Sequence, residues 1–376
     1  MLPQPPVWLI LIAFVCALGP LVFFHELGHY LVARMFKVPA QTFSIGFGRE
    51  ILGWTDKQGT RWKVGWLPLG GYVKFVGDMG PASVPGEEED IPPELRDRAF
   101  QFRPVWQRFL IVLAGPVANF VLAIVIFAAF FATVGMPRTE NLVVSVQQGS
   151  VAEQAGIKPG DRIVQVAGRE TVSFEDIADT VLLRPGEPTL VEVERNGTHL
   201  RLPVTIGVTD QVDRFGQHFR IGRLGVLGSN QTYVKLPAAQ LIPGAVGYTF
   251  KLTRTMMDGL WQIISGRRSA SELGGPIRVA QIAGQGATLG LLPFVQLLAL
   301  FSINLGFINL LPVPMLDGGH LFFYAVEAVR RRPVSAKTLD WAFRGGLAVI
   351  LVLLVFVTIN DLGSLGLWDR LQRLIG

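Results

Sequence analysis

Four long apolar stretches limit what this chain can fold into more than any other feature of its sequence. They occupy residues 1–36, 105–134, 289–328 and 342–361. A helix that crosses the hydrocarbon core of a bilayer needs roughly 20 mostly apolar residues, and each stretch supplies about that many. The sequence therefore predicts a multi-pass α-helical membrane protein with four transmembrane helices.

The third stretch carries polar and helix-breaking residues at membrane depth. Asn304 and Asn309 interrupt its apolar part, and Pro312 and Pro314 follow. Irregular backbone is tolerated inside a bilayer only where it is enclosed by protein or lines a water-filled cavity. We therefore expect this helix to be broken beside a cavity.

The charge pattern argues against nucleic acid as a partner of this basic chain. The net charge is +5, but only 17% of the residues are charged, compared with roughly 25% in soluble domains. The basic residues lie mostly beside the apolar stretches, which favours a membrane surface. The single cysteine, Cys16, excludes a disulfide framework within the chain and a cysteine zinc site.

Lysine and arginine near the helix ends predict the orientation. They follow the first stretch, precede the second, and fill the link between the third and the fourth. Because such residues concentrate on the cytoplasmic side, we expect both termini and the region 135–288 to be extracytoplasmic. The first stretch has no basic segment before it, so we interpret it as a retained helix and not as a signal peptide.

The regions between the helices differ in character. Residues 37–104 are expected to form a cytoplasmic-side loop, in which 61–76, with a turn at Gly70-Gly71, predicts a membrane-associated β-hairpin. Residues 139–207 alternate β-rich runs with turns and include a helix that begins at a serine cap, Ser173, which predicts a soluble α+β domain. Residues 208–288 predict further strands and an amphipathic helix along the outer membrane face.

A metal site is indicated by His25-Glu26-Leu27-Gly28-His29 in the first helix. Residues four apart share a helix face, so the two histidines can bind one ion while Glu26 serves as general base. The alternative is a polar pair buried by helix packing. Ionisable groups inside a transmembrane helix are costly and usually functional, which favours the metal site.

The third ligand must come from elsewhere in the chain, because catalytic zinc usually has three protein ligands and one open position. Asp317 follows the broken third helix, where irregular backbone can bring a carboxylate inward. Glu50 is the alternative, but it lies in a glycine-rich loop beyond the first helix. His320 could be a further ligand, although a supporting or interface histidine is favoured.

These motifs together resemble a known family. HExxH in the first helix, the motif NxxPxPxLDGG from Asn309 to Gly319, and the stretch 114–120 are similar to the site-2 protease family over essentially the whole chain. The bacterial regulator of sigma-E protease (RseP-like) branch is the nearest resemblance. It implies an intramembrane zinc metalloprotease of the bacterial inner membrane.

The resemblance also implies residue roles. His25, His29 and Asp317 would bind Zn2+, and Glu26 would be the catalytic base. The substrate path would be shaped by Asn304, Asn309, Pro312 and Pro314. Composition and spacing, with support from the resemblance, further indicate that an edge of the 61–76 hairpin, including Gly70 and Gly71, holds an extended substrate segment beside the zinc. For both asparagines, hydrogen bonding between helices is the alternative.

Residues 149–163 resemble a PDZ domain of the protease-associated type. Such a domain can capture a chain terminus by strand addition, or it can act as a steric filter, and the residues leave both readings open. Some relatives carry two PDZ domains, whereas this chain has one recognisable signature. The domain would contact a substrate or a partner.

The expected substrates are single-pass membrane proteins, such as anti-sigma factors or remnant signal peptides. Two other classes of function fit the sequence less well. A membrane scaffold with structural zinc would have no need of Glu26, and a zinc transporter would need polar residues along several helices that are nearly all apolar. Regulated intramembrane proteolysis is therefore the predicted function.

Overall fold

The computed structural model describes residues 5–77, 91, 93–212, 218–229, 232–266, 269 and 273–364. The helices are α1 (Val7–Met35), α2 (Val105–Thr133), α3 (Val151–Gln154), α4 (Phe174–Leu182), α5 (Ala238–Ile264), α6 (Pro276–Thr288), α7 (Leu291–Asn309), α8 (Asp317–Arg330) and α9 (Ala336–Ser364). Short 3-10 helices lie at Pro93–Arg98 and Phe100–Phe102. The strands are β1 (Ala40–Thr55), β2 (Arg61–Phe75), β3 (Met136–Arg138), β4 (Val143–Val146), β5 (Arg162–Val166), β6 (Arg169–Glu170), β7 (Pro188–Arg195), β8 (Thr198–Thr205), β9 (Gly207–Val212), β10 (His218–Arg223), β11 (Val226–Gly228) and β12 (Thr232–Val234).

Four helices in the described part of the chain are long and apolar enough to cross a membrane. They are Val7–Met35, Val105–Thr133, Leu291–Asn309 and Lys337–Gly363. The predicted third segment, 289–328, is two helices, because α7 ends at Asn309 and α8 begins only at Asp317. Pro312 and Pro314 lack the N–H donors that a continuous helix needs, which explains the break.

The chain divides into two compact units. The first unit comprises Met1–Phe127 and Gly275–Ile359, and the second comprises Ala128–Gly274 and Asn360–Gly376. The first unit contains α1, most of α2, the β1–β2 hairpin, α6 to α8 and most of α9. The second contains the remaining strands together with α3 to α5.

The hairpin of the first unit differs from the predicted one. Residues 42–45 of β1, a strand that the sequence did not indicate, pair with 61–64 of β2 on one side and with 71–74 on the other. The two predicted arms therefore lie on either side of β1 and do not pair with each other. The chain direction reverses between them, in agreement with the predicted turn at Gly70-Gly71, and Gly70 has φ of +95°. A second turn lies at 56–60, where the Asp56 carboxylate accepts hydrogen bonds from the backbone N–H groups of Gln58 and Thr60.

Aromatic packing fixes this hairpin against the first two helices. Phe43 of β1 stacks on Trp62 of β2 with ring centroids 4.2 Å apart, and Tyr30 of α1 meets Phe43 edge-on. Phe75 and Ile111 belong to the same buried cluster. The hairpin is therefore part of the core that surrounds the middle of α1.

Helix α6 lies in the region 208–288, which the sequence predicts to be extracytoplasmic, and it belongs to the first unit. This helix packs against the N-terminal half of α1 through small side chains, with Ala283 buried beside Ala13 and Ala17. Small residues let two helix backbones approach closely, which is how membrane helices commonly associate. We therefore describe α6 with the first unit.

The second unit contains a four-stranded antiparallel sheet of order β6-β5-β7-β8. Its core includes Ile163, Val191 and Ile177, the last from α4. The predicted serine cap is confirmed, because Ser173 and Asp176 form a capping box at the start of α4.

Strand pairing in the second unit continues beyond residue 207, the predicted end of the α+β domain. Strand β11 pairs with β4, and β12 pairs with β3, so residues up to Val234 return to the strands that begin the domain. Leu224 and Ile206 are buried in the same core. We use the term strand domain for residues 136–234.

Candidate metal centre

Three side chains from two helices converge inside the first unit. His25 and His29 face one way from adjacent turns of α1, and their Nε2 atoms are 3.3 Å apart. Oδ2 of Asp317, in the first turn of α8, lies 3.2 Å from Nε2 of His25 and 3.5 Å from Nε2 of His29. These residues form a group that could hold one metal ion, with all ligand atoms within 4.8 Å of one another.

The spacing fits zinc. A tetrahedral zinc ion bonds histidine nitrogen at about 2.0–2.1 Å and carboxylate oxygen at about 2.0–2.2 Å, so its ligand atoms lie about 3.3–3.5 Å apart. Oδ2 of Asp317 is buried and has no hydrogen-bond partner among the described residues. A buried carboxylate oxygen without a donor is costly, and a cation between it and the two imidazoles would compensate for this.

Glu50, the alternative third ligand, lies elsewhere. It belongs to β1 and pairs with the guanidinium of Arg61 on β2. It is absent from the metal-competent group found among the described residues. Of the two candidate third ligands, Asp317 lies next to the histidines and Glu50 does not.

Two glycines let Asp317 reach this position. A methyl group at Gly318 would overlap the carbonyl oxygen of Leu311, and one at Gly319 would overlap that of Val313. The start of α8 therefore lies directly on the segment that links it to α7. Met315 in this link has φ of +83°, an uncommon conformation for a residue with a side chain, and it lines the cavity at the centre.

Helix α2 holds the two histidines from the other side. Nδ1 of His29 donates to the backbone carbonyl of Ile111 at 2.9 Å, and Nδ1 of His25 lies 3.0 Å from the amide nitrogen of Asn119. Gly115, between these positions on the same helix face, packs so closely on His29 that a methyl group there would overlap its ring. The stretch 114–120 was noted in the sequence as a family motif, but its contacts with the histidines were not foreseen.

Glu26 lies beside the three ligands in a cavity of about 430 Å³. Its carboxylate is within hydrogen-bonding reach of the backbone N–H of Val73 in β2, and Gly71 of the same strand packs on its side chain. Of the six predicted substrate-binding residues, Gly70, Gly71 and Asn309 line the cavity. Asn304, Pro312 and Pro314 are not among its lining residues; Pro314 instead packs against Gly346 of α9.

His320 also lines the cavity, one turn beyond Asp317, but it is not part of the metal-competent group. Its ring packs on Phe343 of α9 with centroids 4.7 Å apart. Further along the same face of α8, Glu327 accepts a hydrogen bond from Arg108 of α2 at 2.7 Å. This ion pair ties the helix that carries Asp317 to the helix that supports the histidines.

Comparison with known proteins assigns the family. Residues 13–353 match peptidase family M50, which is most of the chain. The chain belongs to peptidase family M50. A metalloprotease of Caulobacter vibrioides named MmpA is 37% identical over 380 residues, covering 94% of this chain and 95% of that protein.

Two further relatives carry provisional names as zinc metalloproteases. The protein from Agrobacterium fabrum is 43% identical over 361 residues, and that from Rhizobium meliloti is 44% identical over 362 residues. Each alignment covers 94% of this chain and 96% of the relative. This M50 peptidase therefore has, among its described residues, four helices long and apolar enough to cross a membrane. The group found there that could hold a metal ion, His25, His29 and Asp317, lines one cavity together with Glu26.

Proposed function

We propose that this M50 peptidase is an intramembrane zinc metalloprotease that hydrolyses peptide bonds within the membrane-spanning segments of single-pass proteins. Its relatives are named zinc metalloproteases, and zinc fits the ligand spacing. The observation that carries the proposal is the position of the metal-competent group. His25 and His29 lie in a helix long and apolar enough to span a membrane, and the cavity around them is lined by further membrane helices and by β2.

The residues of the chain divide the chemistry between them. His25, His29 and Asp317 would hold the metal, whose contribution when bound is Lewis-acid polarisation of the scissile carbonyl and activation of water. A carboxylate oxygen of Glu26 would accept the proton of the attacking water and then deliver it to the leaving amine. Glu26 is well placed for both transfers, since it lies beside the ligands and lines the same cavity.

Strand β2 is the proposed substrate platform. Its residues 71–75 pair with β1 on one side, and no strand in the described part of the chain pairs with their other edge. Gly70 and Gly71, at the start of this part of β2, line the cavity. A transmembrane substrate, unwound locally, would add to this edge as an extended segment beside Glu26, with Asn309 contacting it from α7.

The finer assignments follow the resemblance in the sequence. We assign the chain to the RseP-like branch, with the strand domain as a single PDZ domain on the extracytoplasmic side, and the protein to the bacterial inner membrane. Helix α5 supports the placement of the strand domain at a membrane surface, because its exposed large side chains follow helical spacing: Ile242, Val246, Phe250, Met257, Trp261 and Ile264. Anti-sigma factors and remnant signal peptides are the proposed substrate classes.

The test is to map where cleavage occurs. The full-length protein would be reconstituted in liposomes with a single-pass test protein, and the products would be sequenced by mass spectrometry. We expect cuts inside the apolar segment, loss of cleavage after treatment with a zinc chelator, and recovery when zinc is restored. Cuts confined to the parts outside the bilayer, or cleavage that survives chelation, would contradict the proposal.

A further inference from the structure

Asn119 is a buried polar residue in a membrane-spanning helix to which the proposed chemistry assigns no role. Its side chain is fully buried, and its amide nitrogen lies 3.0 Å from Nδ1 of His25. Its backbone carbonyl accepts a hydrogen bond from the hydroxyl of Ser302 in α7 at 2.8 Å. Asn119 is therefore fixed between α1 and α7, with its side chain aimed at a metal ligand.

The two histidines are held differently at Nδ1. Nδ1 of His29 donates to the carbonyl of Ile111, which places the ring proton on Nδ1 and leaves a lone pair on Nε2 for the metal. His25 needs the same proton position if it binds through Nε2, which faces Asp317. The group at its Nδ1 must then accept a hydrogen bond, and that group is the amide of Asn119.

An amide can meet either requirement, because a 180° rotation exchanges its oxygen and nitrogen. With the nitrogen towards Nδ1, Asn119 donates to the tautomer of His25 that carries its proton on Nε2. With the oxygen towards Nδ1, it accepts from the tautomer whose Nε2 binds a metal. The amide oxygen is at present buried without a hydrogen-bond partner among the described residues, so no bond to the oxygen opposes the rotation.

We propose that Asn119 is a positioning residue that accepts the Nδ1 proton of His25 when zinc is bound and thereby selects the metal-binding tautomer. The proposal rests on the zinc site proposed above. Partners of this kind, which orient a histidine ligand through its second nitrogen, typically contribute 10–100-fold to metal affinity. Asn119 and Ile111 lie on one face of α2, so this helix would set the tautomers of both histidine ligands.

The test compares two substitutions of similar size in the full-length protein. Asn119→Leu removes the acceptor, and we expect zinc affinity, measured by competition with a chromogenic chelator, to fall about 10–100-fold. Asn119→Asp retains an acceptor and should keep or exceed the original affinity. Ser302→Ala is the matched control, because it removes the hydrogen bond to the backbone of Asn119 and leaves the amide in place.

The proposal would be overturned if Asn119→Leu left the zinc affinity unchanged. It would also be overturned if the leucine and aspartate variants lost zinc affinity equally, since equal losses would indicate an effect of packing alone. If the leucine variant does not fold, ¹⁵N spectra of the histidine-labelled, zinc-loaded protein decide the question. We expect a protonated Nδ1 on both zinc-bound rings, and a ring ligated through Nδ1 would refute it. A protein that binds zinc in this way but cleaves no membrane substrate would contradict the proposed function and leave the role of Asn119 standing.

Discussion

Two aspartates, one in each unit, have opposite surroundings. Asp161 of the strand domain is 1% exposed and accepts two hydrogen bonds of 2.7 Å from Arg195 and one of 2.8 Å from the backbone N–H of Lys158. Asp317 of the first unit has a buried Oδ2 with no hydrogen-bond partner among the described residues and two imidazole nitrogens nearby. The hydrogen bonds to Asp161 stabilise the fold, whereas the surroundings of Asp317 are suited to a bound cation, which the chain itself does not supply.

The pairing of Asp161 has a consequence for its ionisation. Burial by itself raises the pKa of this carboxyl, but the hydrogen bonds from Arg195 and Lys158 outweigh burial and hold the pKa below its usual range. The carboxylate is thus stabilised by the protein alone. Replacing Asp317 should therefore remove bound metal, whereas replacing Asp161 should destabilise the strand domain.

The largest effect is expected from Asp317→Asn. The change keeps the shape of the side chain but removes an anionic ligand, so bound zinc should fall from about one per chain to nearly none. Cleavage should fall about 10³-fold or more, since a catalytic metal contributes several kcal/mol to the transition state. Metal analysis and a cleavage assay measure both quantities.

Glu50→Gln is the matched control for that experiment, because Glu50 was the other candidate ligand and pairs with Arg61 instead. We expect it to retain zinc and activity. Zinc retained in Asp317→Asn but lost in Glu50→Gln would reverse the assignment of the third ligand.

Gly115→Ala tests whether close packing, and not hydrogen bonding alone, holds the metal ligands. The added methyl group would displace the ring of His29, and a shift of about 1 Å in a catalytic group can reduce the rate about 10²-fold. Gly19→Ala in α1 is the control, because nothing lies within 4 Å of the position of its added methyl group. Equal activity in the two variants would show that the ligands tolerate the displacement.

Asp161→Asn should affect stability and not zinc content, in contrast to Asp317→Asn. We expect the strand domain to lose about 2–3 kcal/mol of unfolding free energy, because a buried charge-assisted pair is broken, while zinc content stays unchanged. Hydrogen exchange of the amides in the strand domain measures this loss. The control is Asp210→Asn, at an exposed pair with Arg220, which should change the unfolding free energy by less than about 0.5 kcal/mol. If this variant lost as much stability as Asp161→Asn, burial of the Asp161 pair would not be the reason for its effect.

Acid should weaken the strand domain through the same carboxylate. Because the pKa of Asp161 is lower in the folded than in the unfolded protein, its contribution is complete above the unfolded value, about 3.9. The contribution is lost as the pH falls through the lower folded value. The difference in stability between the original protein and Asp161→Asn should therefore shrink below about pH 4. A difference that stays constant would mean that the ion pair is not its source.

The sequence allowed the histidine pair on one helix face and the four long apolar helices to be predicted, because each depends on local spacing. His25 and His29 are one turn apart, and the apolar stretches are continuous. Contacts between distant segments left no such pattern. The bond from His29 to Ile111 joins residues 82 positions apart, and the packing of Gly115 on His29 is equally remote.

Strand β1 escapes prediction from the sequence for a related reason. Gly46 and Gly48, both at positive φ, interrupt the alternation that marks a strand. The turn at Gly70-Gly71 is visible in the local sequence, but the position of β1 between the two arms of the predicted hairpin is not. The local sequence of a strand does not specify its partner.

In the mechanism that we propose, the group around Asp317 is a catalytic zinc site in which Glu26 moves the proton. The most direct measurement is zinc content and cleavage of a liposome-embedded single-pass substrate by Glu26→Gln, determined on the same sample. We expect about one zinc per chain, as in the original protein, with cleavage reduced to background, since glutamine cannot accept the proton of the attacking water. Cleavage at an undiminished rate with zinc bound would contradict the account.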